Sequence, residues 1–301
     1  MLHLEIHLFG EMQAVQSDGR PLRLPPSTQS LFAYLILFHE RSHSRESLTN
    51  LFWEDVPLKN ARRCLSTALW RLKKELPQDA ACLAVSERGN VQFAYNNSQW
   101  IDILSFEENA NRGLHLSMEE MGAADASFLE KAINLYRGDL LDGYYDEWVL
   151  RERERLHLLY LRTLSRLMRY YGERNELARG IDYGQRLLAV DPLREQIHRE
   201  LMLLYMKKGE RSLAIQQYES CRRILAAELG IVPMSETRAL YKGLLSQPQL
   251  VKTAVSTLLS AGVSPTITSR NDKEGIAHAL QQIEQAMAGL EQARSYLRSL
   301  Q

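Results

Sequence analysis

Between Asp55 and Glu75 the chain carries Lys59, Arg62, Arg63, Arg71, Lys73 and Lys74 and no acid, although the 301-residue sequence has a formal net charge of zero. Placed on a helix at about 100° per residue, Ala61, Leu65, Ala68, Leu69, Leu72 and Leu76 gather on one side. Arg63, Thr67, Trp70 and Lys74 point the other way, flanked by Lys59, Asn60 and Ser66. Such a segment has to lie at a surface: its aliphatic stripe must be covered, while six cations without counter-charges stay in water or meet an anion. The exposed ridge suits a DNA major groove, where cations meet phosphates and Arg, Asn, Ser and Thr reach base edges. Most charged helix faces are merely solvated, so the neighbouring elements decide between the two.

Residues 1–100 hold eleven Lys/Arg and ten Asp/Glu, so the basic character is local to this one segment rather than diffuse. Three separated cysteines, Cys64, Cys82 and Cys221, form no C-x-x-C pattern, and support neither a disulfide framework nor a zinc site. No apolar run approaches the ~18–20 residues of a membrane span, and the N-terminus has no signal-peptide pattern. A cytoplasmic protein is the expectation.

Leu2, Leu4, Ile6 and Leu8 alternate with polar residues as in a half-buried strand, with His3 and His7 on its polar face. A second strand near Met12–Gln16, a turn at Ser17-Asp18-Gly19-Arg20 and a third strand at Leu22–Leu24 follow. Pro25-Pro26-Ser27 opens a helix with Leu31, Leu35 and Phe38 on one stripe. Ser44 caps the next, with Leu48, Leu51 and Phe52 inside, and Pro57 starts the basic helix. Two alternating runs, Cys82–Ser86 and Val91–Tyr95, are joined by Glu87-Arg88-Gly89-Asn90 as a hairpin. Three strands, three helices and a hairpin describe a helix-turn-helix with a wing.

Residues 1–100 resemble the OmpR-type winged helix. The match rests on Leu48-Thr49-Asn50-Leu51-Phe52-Trp53, on Asn60-Ala61-Arg62-Arg63-Cys64-Leu65 and on Leu69-Trp70-Arg71-Leu72-Lys73-Lys74-Glu75-Leu76. The resemblance implies that the third helix enters a major groove and the wing the adjacent minor groove. The departure is Trp70, where that family usually carries a small or basic residue. On this reading Arg63, Ser66, Thr67 and Asn60 face base edges, Lys59, Arg62, Arg71, Lys73 and Lys74 face phosphates, and Arg88 serves the wing. Trp70 either faces the groove or docks on the helical domain.

From Ile101 the chain loses strand alternation, and Ile101–Phe106 reads as a hinge into a helical domain. Leu129–Leu141 is broken by Gly138 and Gly143, and a long helix runs from Trp148 to Tyr171 with Leu156, Leu159, Tyr160, Thr163, Leu164 and Leu167 inside. The run Arg151-Glu152-Arg153-Glu154-Arg155 reads as a solvated face. Gly172-Glu173-Arg174 recurs as Gly209-Glu210-Arg211, each copy between amphipathic helices that carry Ala178, Ile181, Leu187 and Leu188 or Ala214, Ile215, Tyr218 and Ile224. Glycine turns, small residues at the crossings and a period near ~34 mark tetratricopeptide-type hairpins stacked into a solenoid.

Leu135-Tyr136-Arg137-Gly138-Asp139-Leu140-Leu141, Asp191-Pro192-Leu193-Arg194-Glu195 and Leu225-Ala226-Ala227-Glu228-Leu229-Gly230-Ile231-Val232-Pro233 narrow the family. All three resemble the bacterial transcriptional activator domain that follows the winged helix in the Streptomyces antibiotic regulatory protein (SARP) family. The resemblance covers roughly residues 1–247. It implies an activator that binds double-stranded DNA at promoter repeats as a homodimer and contacts RNA polymerase. Larger members add an ATPase module; this sequence has no G-x-x-x-x-G-K and no acidic receiver domain, which corresponds to the short kind.

The expected fold is mostly α with a small N-terminal α+β part: a winged helix-turn-helix in residues 1–100, then a tetratricopeptide-like helical domain in residues 101–247. Residues 248–270 read as a linker and 271–301 as an amphipathic terminal helix. In that helix Ile276, Leu280, Ile283, Met287, Leu290 and Leu297 keep a heptad register, which suits a dimeric coiled coil or a helix folded back on its own domain. The expected function is sequence-specific regulation of transcription. The alternative is a tetratricopeptide-like adaptor whose winged helix serves protein contacts, separable by the salt dependence of binding. No H-E-x-x-H, G-x-S-x-G or phosphate loop supports an enzyme, a metal or a cofactor.

Overall fold

The computed structural model describes residues 4–77 and 82–246. The expected linker and terminal helix, residues 248–301, lie outside the described residues, as does His3.

Strand β1 (Leu4–His7) lies at the centre of a three-stranded sheet. Leu4 and Ile6 are buried on one face, as the alternation requires. β2 (Gln13–Gln16) runs antiparallel to it, with Leu4 opposite Gln16 and His7 opposite Gln13. The third strand is not Leu22–Leu24, of which only Leu22 N–H bonds back, to the Ala14 carbonyl. It is Gln99–Ile101, here β5, pairing parallel to β1. Helix α4 (Asp102–Leu114) follows at once, so the segment expected to be a hinge is the end of a strand and the start of a helix.

Between β2 and β5 stand α1 (Pro26–Leu37), α2 (Arg45–Phe52), α3 (Leu58–Glu75) and a hairpin of β3 (Leu83–Val85) and β4 (Val91–Phe93). Leu31, Phe32, Leu35 and Ile36 of α1 are fully buried. Ser44 caps α2 by accepting from Ser47 N–H at 3.0 Å. Leu48 is buried there, but Leu51 is 40% exposed, against expectation.

The winged helix and the following helices share one hydrophobic core, and residues 1–244 form one compact unit. Three contacts make the join. First, the buried Asp102 carboxylate accepts from Leu8 N–H (2.9 Å), Phe9 N–H (3.0 Å) and Ile103 N–H (2.7 Å). Burial raises its pKa, while these N–H groups and nearby His7 pull the other way. Second, the chain beyond β1 pairs with the segment Gly138–Asp142. Leu141 N–H donates to Leu8 O (2.9 Å), Gly10 N–H to Asp139 O (2.7 Å) and Asp142 N–H to Gly10 O (2.8 Å). Leu141 takes a φ of +51°, a conformation unusual for a leucine. Arg153 steadies it, donating from Nε to Leu140 O (2.6 Å) and from Nη2 to Leu141 O (2.5 Å). Third, Trp148 packs edge-on against Tyr34 of α1, ring centres 5.3 Å apart, and against Phe52 of α2. The charged run that begins α6 is therefore not simply solvated, because Arg153 is spent on this join and Arg155 pairs with Glu107 and Glu152.

Helix α5 (Ala123–Leu135) precedes two helical hairpins, α6 (Glu147–Glu173) with α7 (Leu177–Val190), and α8 (Glu195–Lys207) with α9 (Arg211–Leu229); α10 (Ser235–Ser246) follows. The structural repeat equates Asn175 with Gly209, the ~34-residue tetratricopeptide period, rather than Gly172 with Gly209. Both have positive φ, +62° and +82°. Both precede a glutamate, Glu176 or Glu210, whose N–H bonds to the carbonyl of Tyr171 or Tyr205. Gly172 lies inside α6, where an added Cβ would meet Leu204 at 2.8 Å. The small residues at the first crossing are Gly180 and Gly184, whereas Ala178 is exposed. Glu130 of α5 ties the layer together, accepting from Tyr171 OH (2.8 Å), Tyr183 OH (2.9 Å) and Arg179.

Asp102→Ala leaves three buried N–H groups unpaired and should cost at least about 3 kcal/mol in urea unfolding, with Asp102→Asn intermediate. An added Cβ at Gly180 would stand 3.0 Å from the Met168 carbonyl and 3.3 Å from Gly172 N. Because both neighbours are backbone, Gly180→Ala should destabilise by ~1–3 kcal/mol, despite alanine's higher helix propensity. The same urea titration checks it.

Candidate nucleic-acid interface

α3 buries Ala61, Leu65, Ala68, Leu69 and Leu72 against the core, and this fixes the rest of its circumference outward. Lys59, Asn60, Arg62, Arg63, Ser66, Thr67, Trp70, Arg71, Lys73 and Lys74 are all exposed. Among the described residues none of its six cations forms an ion pair. Some arginines elsewhere are paired: Arg112, Arg151, Arg155, Arg169, Arg179, Arg194 and Arg222 each hold an acid. The first turn of α3 contains no acid either, so the positive end of the helix dipole adds to Lys59 and Arg62.

Several side chains on this face are already engaged. Ser66 donates to Arg62 O and Thr67 to Arg63 O, both at 2.9 Å, which leaves these hydroxyls to act only as acceptors. Arg45, the first residue of α2, donates from Nη2 to Ser66 Oγ at 2.7 Å. Its aliphatic stem also runs beside the wing turn, 3.6 Å from where a Cβ on Gly89 would stand. Arg45 thus links α2, α3 and the wing. Sequence reasoning missed it, and its only signal was a cation directly after the Ser44 cap. Trp70 is 60% exposed on the outer face of α3, and Lys74 Nζ lies 5.4 Å from its ring centre. It does not dock on the helical part.

The wing is sewn to the helix-turn-helix. His43 and Val91 exchange both backbone hydrogen bonds at 2.8 Å, Gln92 donates to His39 O at 2.8 Å, and Phe93 packs edge-on against Phe32. Burial lowers the pKa of His43, whose Nε2 lies 3.1 Å from Phe38 O. The wing turn closes with Ser86 N–H on Asn90 O, and Gly89 takes a φ of +79°. Arg88 stands exposed in that turn.

Among the described residues no group of three or more potential metal ligands comes together, and no helix is long and apolar enough to cross a membrane. His7 lies 3.0 Å from Glu5 and edge-on to Trp100.

Residues 101–245 match the family described as the bacterial transcriptional activator domain. The chain is 26% identical over 249 residues to the transcriptional regulatory protein MoaR1 of Mycobacterium tuberculosis, covering 79% of each. It is 26% identical over 298 residues to the regulatory protein AfsR of Streptomyces coelicolor, covering 93% of this chain and 29% of that protein. Among solved structures, M. tuberculosis EmbR in complex with a low affinity phosphopeptide superposes with a TM-score of 0.68 at 22% identity. The superposition covers 87% of this chain and 71% of that one, a likeness of fold. Residues 101–245 thus carry the bacterial transcriptional activator domain, and with its winged helix and tetratricopeptide-like repeats the chain is similar to the SARP-type transcriptional regulators.

Proposed function

We propose that the chain activates transcription by binding duplex DNA, with α3 in the major groove and the wing in the adjacent minor groove. The observation that carries this reading is that all six α3 cations are exposed on one helix and, among the described residues, none of them forms an ion pair. Lys59 and Arg62 at the helix start and Arg71, Lys73 and Lys74 towards its end neutralise phosphates. Arg63 and Asn60 read base edges, and Thr67 accepts from an exocyclic amine. Ser66, held by Arg45, serves chiefly to set the angle between α2 and α3. Trp70 offers an apolar surface to a thymine methyl or the sugar edge, and Arg88 reaches the minor groove from the wing.

Binding to promoter repeats as a homodimer, contact with RNA polymerase and action in the cytoplasm complete the proposal. A protein contact is favoured by the cleft of about 740 Å³ between α2 and α3, where Leu51 and Leu58 are 40% and 52% exposed.

Arg63→Ala should relax sequence preference by ~1–3 kcal/mol at one base position of a selected operator. Lys74→Ala should weaken specific and random duplexes alike. Electrophoretic mobility shift with both duplexes reads the difference. A double Arg63→Ala, Lys74→Ala variant that binds the operator with unchanged affinity would sink the assignment.

A further inference from the structure

A second group of arginines lies in the helical part. A cleft of about 480 Å³ opens there, lined by Asn111 of α4, by Arg155, Leu158, Leu159 and Arg162 of α6, and by Arg194 at the start of α8. Arg155 and Arg162 are two turns apart on α6, so they share a face, with the two leucines between them. Leu158 is 44% exposed, an apolar wall without a cover.

Two of the three guanidinium groups are held in place. Arg155 donates from Nε to Glu152 (2.7 Å) and from Nη1 to Glu107 (2.5 Å), and Arg194 from Nε to Asp191 (2.6 Å). Among the described residues Arg155 Nη2 and both Nη groups of Arg194 then have no acceptor. Arg162 is exposed and has neither an ion pair nor a side-chain hydrogen bond there. Preorganised forks lose less freedom on engaging a ligand, and guanidinium donors match a carboxylate in geometry.

The charge balance selects the ligand. Glu107, Glu152 and Asp191 offset three arginines, so the cleft offers directed donors rather than a net positive field. A polyphosphate would meet those three acids, whereas a single carboxylate gains the donors with the least repulsion. The leucine wall calls for an apolar body beside that carboxylate, and the volume lies in the range of small-molecule sites.

We propose that this cleft between α4, α6 and α8 binds a small organic monocarboxylic acid, its carboxylate on Arg162, Arg155 and Arg194 and its apolar body on Leu158 and Leu159. The site shares no residue with α3 and stands whether or not α3 binds DNA.

Isothermal titration of the full chain with phenylacetate, and in parallel with neutral phenylacetamide, tests it. Phenylacetate should bind with a Kd of about 1 mM, as suits a small ligand in an open cleft, and the amide at least about tenfold more weakly. Arg162→Ala should lose about tenfold or more, and Arg162→Lys, which keeps the charge but not the fork, an intermediate amount. Arg63→Ala should bind phenylacetate as wild type does. Circular dichroism should confirm that Arg162→Ala is folded, since its exposed side chain has no ion pair or hydrogen bond among the described residues to lose. Equal binding of acid and amide, no binding of phenylacetate, wild-type affinity in Arg162→Ala, or a loss in Arg63→Ala overturns the proposal.

Discussion

The Asp102 carboxylate is where the two halves of the architecture meet. It sits at the first turn of α4, directly after the strand that completes the N-terminal sheet, and takes the N–H groups of Leu8 and Phe9 as β1 ends. That fixes the exit of β1, and the exit sets the pairing of Phe9 with Leu140 and the φ of +51° at Leu141. From there the chain enters α6, and Trp148 at its start reaches back to Tyr34 and Phe52 beneath the helix-turn-helix. The basic helix is thus carried on a body that includes the helical repeats, and its orientation is not left to a flexible linker.

That arrangement explains why cations can be left bare on α3. A small domain with six unpaired positive charges on one helix carries self-repulsion that opposes folding. Here the buried stripe of α3 joins a core that continues through α6 to α8, so the cost is spread over a large apolar interior. The same economy appears in the wing, whose three-residue strands would be marginal alone but are tied through His43 and Gln92.

Much of this was legible in the sequence, for identifiable reasons. The stripe of α3, the Ser44 cap, the hairpin around Gly89 and the buried side of α6 follow from local periodicity and turn chemistry, and the structure places each where expected. All eleven residues assigned to the candidate site are exposed on α3 or the wing. What escaped was non-local or disguised. Gln99–Ile101 is too short to announce a strand, and its partner lies almost a hundred residues earlier. Asp102 has the sequence of an ordinary helix start. The true repeat register was hidden because Asn175 does the work of a glycine, while Gly172 serves packing inside a helix. Arg45 was missed because its role depends on α2, α3 and the wing lying side by side.

The salt dependence of duplex binding by the full chain tests the central claim most directly. If the α3 cations and Arg88 neutralise phosphates, log Kobs falls linearly with log salt concentration, at about 0.9 unit per phosphate contacted. With several contacts per chain the slope should reach about −3 or steeper, on random as well as selected duplexes. A slope near zero, with binding retained at high salt, would contradict it and point to a winged helix used for protein contacts instead.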